Sequence, residues 1–142
     1  MRKYLEKEWG AQVTPGQEAD DALGISQSNS TGTVICSIDK DLKQVSGKHY
    51  NWVKDEFDDI SPQMGIAFFY QQLLTGDRTD NISSGLYRMG EGKAQSLLAY
   101  CETENEMLEI VRSQYQDEVK LTLTGRLLWI RKQELELWTP PK

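Results

Sequence analysis

Apolar positions at helical spacing open the chain. Tyr4, Leu5 and Trp9, set in a charged run, predict a short amphipathic helix that ends at Gly10. Residues 11–14 read as a short strand, Pro15-Gly16 as a turn, and residues 17–27 as a helix carrying Ala19, Ala22, Leu23 and Ile25. Beyond a polar loop the pattern changes. Residues 33–38 are β-branched and nearly all apolar, which predicts a strand buried on both faces and hence a parallel sheet. Residues 49–53, with the lone His49, read as a further strand, and residues 54–59 as a charged loop. Ser61-Pro62 then predicts a helix start, Ser as cap and Pro at the first helical position, and the apolar face of Ile66, Phe69, Tyr70, Leu73 and Leu74 carries that helix to about Thr75. Gly76 predicts its end through a left-handed cap.

The second half is helical in pattern. A short helix is expected over residues 92–100. The sequence Thr103-Glu104-Asn105-Glu106 is a capping box that starts a helix to about Tyr115. Residues 117–132 predict one more helix, with Leu121, Leu128 and Trp129 inward, and Leu135, Leu137 and Trp138 a terminal strand closed by Pro140-Pro141. Helix and strand in alternation, followed by helices, give an α/β class.

At 142 residues the chain can bury one core with an appended subdomain. No apolar run approaches the ~20 residues of a membrane span, and the first residues lack a signal-peptide core. Cys36 and Cys101 are expected as buried free thiols of a reducing compartment. The net charge of −6 argues against a nucleic-acid partner only until its origin is traced. Seven carboxylates fall in three knots: Glu18, Asp20 and Asp21; Asp39 and Asp41; Asp77 and Asp80. Without them the rest of the chain carries +1.

Each knot alone is also what a solvated helix start, a strand cap or a loop looks like. Together they have a chemistry. Like charges this close repel unless cations sit among them. Asp39 and Asp41 follow the carboxyl end of a strand, the edge where open α/β sheets bind ligands. An oxygen-only ligand set suits Mg2+ or Mn2+, and two such ions about 3.5–4 Å apart suit phosphodiester hydrolysis. A glycine turn, Met89-Gly90-Glu91-Gly92-Lys93-Ala94, follows; it would let a phosphate approach the backbone and the next helix's amides, with Arg88 and Lys93 adding charge.

These motifs resemble the 5'-nuclease family, which includes the 5'→3' exonuclease domain of bacterial DNA polymerase I, the flap endonucleases and the bacteriophage 5'→3' exonucleases. Glu18-Ala19-Asp20-Asp21, the run from Ile35 through Asp39-Lys40-Asp41-Leu42, the stretch Leu74-Thr75-Gly76-Asp77-Arg78-Thr79-Asp80-Asn81-Ile82 and the glycine turn carry the resemblance, over about residues 10–115 in order. The closing segment around Leu128-Trp129 and Leu137-Trp138 looks most like the phage members.

The resemblance implies a PIN-like core in residues 1–60, a helix-three-turn-helix DNA-binding subdomain in 61–116, and a terminal helix and strand in 117–142 that pack back on the core. It implies metal-dependent hydrolysis of duplex DNA at 5' ends and 5' flaps in the cytoplasm of a bacterial or phage-infected cell. Glu18, Asp20, Asp21, Asp39 and Asp41 would be catalytic metal ligands, with Asp77 and Asp80 completing the second site. Arg88, Gly90, Gly92 and Lys93 would hold DNA, with K+ at the turn.

Two departures accompany it. The family's first strand, with its metal-binding aspartate, and the basic helical arch have no counterpart before residue 18. The chain therefore reads as the carboxyl-terminal portion of a nuclease, with a bare sheet edge expected to drive self-association or pairing with an amino-terminal partner chain. Arg88 stands where the turn's first glycine is usual, and Ser83-Ser84 where proline is. A non-catalytic DNA-binding module is the alternative reading.

Overall fold

The computed structural model describes residues 1–141. Its elements run α1 (Arg2–Trp9), α2 (Ala19–Ser28), β1 (Val34–Cys36), a 3-10 turn (Asp41–Gln44), β2 (Gly47–Asn51), β3 (Glu56–Ile60), α3 (Pro62–Thr75), α4 (Glu91–Leu98), α5 (Glu104–Tyr115) and α6 (Glu118–Leu128). The class is α/β, and among the described residues no helix is long and apolar enough to cross a membrane.

The sheet is mixed rather than parallel. In the order β1-β2-β3, β1 runs parallel to β2, with Ile35 opposite His49, and β3 runs antiparallel to β2, with Phe57 opposite Tyr50. Residues 54–59 therefore contain a strand where a charged loop was expected. Asn51 accepts the amides of Val53 and Lys54 to build the turn, the Phe57 ring stacks on Tyr50 at 4.5 Å, and Ile60 is buried. An edge strand tolerates the charges that made this segment read as a loop.

Nor is β1 buried on both faces. Ile35 points into the core, whereas Val34 and Cys36 are exposed, and Phe57 on the same outer face is 72% exposed. Only one face of this sheet is covered. Cys36 is thus an exposed free thiol, and Cys101 is half-buried; neither is the buried cysteine expected. His49 is a strand residue as read, with its Nε2 2.8 Å from the Val45 carbonyl. Residues 11–14 form no strand, and α1 buries none of its residues.

The helical body follows its sequence closely. Ser61 Oγ accepts the Met64 amide with Pro62 at the first position of α3, and the Thr103–Glu106 capping box opens α5 as read. Phe69, Tyr70, Leu73 and Leu74 on α3 share one core with Ala94, Leu98, Met107, Leu108, Val111, Tyr115, Leu121, Leu128 and Trp138. A second, smaller core joins Ile35, Leu42 and Val45 to Ile130.

The carboxyl-terminal segment departs from expectation. Helix α6 stops at Leu128 rather than near residue 132, because tertiary partners take its next backbone groups. The Leu128 carbonyl accepts from Gln44, the Ile130 amide donates to Gln44 and the Arg131 amide donates to Asp21. Residues 135–138 form no strand. Trp138 instead lies flat over Gly125, where any Cβ would collide with its ring, and against Phe69.

Candidate metal centre

The acidic knots are placed by local hydrogen bonds. Asp39 donates its amide to Ser37 Oγ (3.0 Å), and Asp41 donates its amide to Asp39 Oδ1 (2.9 Å). These side-chain turns reverse the chain just after β1 and start the 3-10 turn at Asp41. That turn lies directly on α3 at Gly65, where a Cβ would come within 2.6 Å of the Gln44 carbonyl. Only a residue without a side chain permits this approach.

The third knot is built around Gly76, which ends α3 with φ 72° and ψ −176°. The φ is positive as expected of a closing glycine, but the ψ is extended rather than left-handed helical. A side chain here would also strike the Ile82 carbonyl and the Ser84 amide. Asp77 and Ile82 exchange both backbone hydrogen bonds (2.8 and 2.7 Å), closing a tight loop. Inside it, Asp77 Oδ1 accepts the amides of Thr79 (2.7 Å) and Asp80 (3.3 Å).

The fold brings Asp41, Asp77 and Asp80 together, with ligand oxygens all within 4.8 Å of one another. Three hard carboxylates from two loops, one nearly buried, form a donor set that can hold a metal ion. Asp20, in the first turn of α2, belongs to the same field. Burial pushes its carboxyl up from the ordinary 3.8, and the charges of Asp39, Glu18, Asp41 and Asp21 push it further. Asp41 is likewise raised: burial leads, Lys40 opposes it, and Asp77 and Asp39 add to it. Burial also acts on Asp77, but the hydrogen bonds from Lys40 and from the amides of Thr79 and Asp80 outweigh it and hold the carboxyl below its usual value.

Asp21 points elsewhere. Its Oδ1 accepts the Arg131 amide at 2.9 Å and its Oδ2 lies 3.4 Å from Arg131 Nε, fastening α2 to the segment after α6. Glu18 is the N-cap residue of α2 but makes no side-chain capping bond.

Three residues of the centre went unread in the sequence. Lys40 places its Nζ 2.9 Å from Asp41 Oδ1 and 2.5 Å from Asp77 Oδ2. Gln72 donates to Asp41 Oδ1 at 2.7 Å. Gln44 donates to Gln72 Oε1 and to the Leu128 carbonyl, both at 2.7 Å, and accepts from the Ile130 amide at 3.2 Å. Buried amides of this kind stay inside only when paired. The signal was Gln72 itself, a polar interruption of the apolar face of α3.

The glycine turn lies across a cleft of about 440 Å3, whose walls include Lys40, Asp77, Arg78, Gly90 and Glu91. Gly90 is the N-cap residue of α4, and Gly90 and Gly92 have nothing within 4 Å of a Cβ position, so no internal packing calls for glycine there. Arg88 adopts φ 51°, a conformation natural to glycine, and lies over the exposed Tyr87 ring. Lys93 is exposed on α4. No known family model matches the chain, and no curated protein matches it.

Proposed function

We propose that the chain is part of a metal-dependent nuclease of the 5'-nuclease type, acting on duplex DNA with a 5' end or 5' flap. The observation that carries this reading is the convergence of Asp41, Asp77 and Asp80, flanked by the mutually repelling Asp20, Asp39 and Glu18. Its first 60 residues would be a partial PIN-like core, and α3, the looped connection and α4 a helix-three-turn-helix. Asp41, Asp77 and Asp80 would hold Mg2+ or Mn2+, with Asp20, Asp39 and Glu18 facing a second ion; Asp21, tied to Arg131, would orient α2. Bound there, the ions would supply Lewis-acid activation of water and neutralisation of the scissile phosphate. The amides at the start of α4, with Arg88 and Lys93, would hold the phosphate backbone across the cleft without reading sequence, and K+ at the turn would share that work.

A second reading, duplex binding without turnover, draws on the Lys40 ammonium that neutralises Asp41 and Asp77 in place of a metal. Single-turnover cleavage of a 5'-flap duplex in Mg2+ or Mn2+, with binding followed in parallel, separates the two. The nuclease reading expects cleavage that a chelator stops and that Asp41→Asn abolishes while duplex binding persists. Binding without cleavage selects the second reading, and cleavage indifferent to Asp41→Asn overturns the assigned centre.

A further inference from the structure

Lys40 joins carboxylates from two separate loops, and its ammonium touches one oxygen each of Asp41 and Asp77, two of the three groups that would face a cation there. An ammonium and a divalent ion cannot share that position, because like charges a few ångströms apart repel strongly. The two partners differ in freedom. The Asp77 side chain is 2% exposed and is pinned by two backbone amides inside a closed loop. The Lys40 side chain is 57% exposed and borders the open cleft, so it can swing away without unpacking anything. A buried carboxylate left without any counter-ion would be strongly destabilising.

We infer that Lys40 is the resident counter-ion of the Asp41–Asp77 pair and limits how tightly the acidic centre takes its divalent cation, which enters only as the lysine leaves. The inference rests on the reading of this cluster as a cation site. It makes Lys40 a residue that sets metal affinity, in a position to pass to a phosphate once displaced.

Mn2+ titration followed by electron paramagnetic resonance tests it without any need for catalysis. Lys40→Met and Lys40→Gln remove the competing charge, and each should bind Mn2+ tighter than the unmodified chain, on the order of tenfold. Both should melt at lower temperature in chelator, where Asp77 has lost its partner. Lys40→Arg keeps the charge and should retain the weaker affinity. Neutral variants that bind Mn2+ no tighter than the unmodified chain overturn the role of Lys40 while leaving the site in place. If no protein of the set binds Mn2+, the metal centre itself falls, and this inference with it.

Discussion

The helical body and the three-stranded sheet are stabilised in different ways. Thirteen buried side chains from α3 to α6 and the closing segment share the first core; four support the sheet side. The sheet also leaves one face uncovered, with Phe57 and Val34 in solvent. The body is therefore held by its own packing, and the sheet side by a smaller apolar core and polar ties to the body. The acidic centre sits on that seam, one carboxylate delivered by the turn after β1 and two by the loop after α3. What the contrast teaches is that the rigid partner is helical and that the sheet-side ligands depend on it for position.

Breaking the body should have the largest effect. Phe69, fully buried against the rings of Tyr70, Trp129 and Trp138, should cost about 3–5 kcal/mol on replacement by Ala, read from denaturant unfolding. A loss below ~1 kcal/mol would mean that the body is not the stable half.

Cutting the polar tie should have a middling effect. Gln44→Ala leaves Gln72 Oε1, the Leu128 carbonyl and the Ile130 amide without their partner. About 1–3 kcal/mol of stability should go, and Mn2+ affinity should weaken as Asp41 loses its brace. Unchanged affinity would show that the seam does not position Asp41.

The smallest effect sharpens the contrast on the sheet side. The folded carboxyl of Asp20 is raised above its ordinary value of 3.8. Its contribution to stability is therefore complete below that value and is lost as pH rises through the folded one. In chelator, Asp20→Asn should melt a few degrees higher than the unmodified chain at about pH 7.5, and the gain should vanish below the ordinary value. A gain independent of pH would remove the repulsion as its cause.

How much of this was legible follows the same division. The caps at Ser61 and Thr103 were readable because each is closed within three residues, and the apolar face of α3 because burial repeats it every turn. The strand at Glu56–Ile60 was not, because its alternation is carried by charges that only an edge position tolerates. The end of α6 was hidden for another reason: its Leu128 carbonyl and the Ile130 and Arg131 amides bond to Gln44 and Asp21, partners more than 80 residues away in sequence. Of the acidic residues, the resemblance grouped all seven as ligands without singling out Asp41, Asp77 and Asp80, whose meeting depends on how the turn after β1 and the loop after α3 are packed, and the tie of Asp21 to Arg131 had no local signature.

The pinning of Asp41 and Asp77 also fixes their denticity. Gln72 holds Oδ1 of Asp41, and the Thr79 and Asp80 amides hold Oδ1 of Asp77. Lys40 also takes Oδ1 of Asp41 and Oδ2 of Asp77, so neither carboxylate offers two unclaimed oxygens, and neither can chelate with both unless an internal bond breaks. One-toothed ligands suit a small ion that keeps an octahedral shell with several waters, and serve poorly a larger ion that fills seven or eight positions with paired oxygens. The choice between cations of equal charge is thus written in which oxygens the fold's own donors have already claimed.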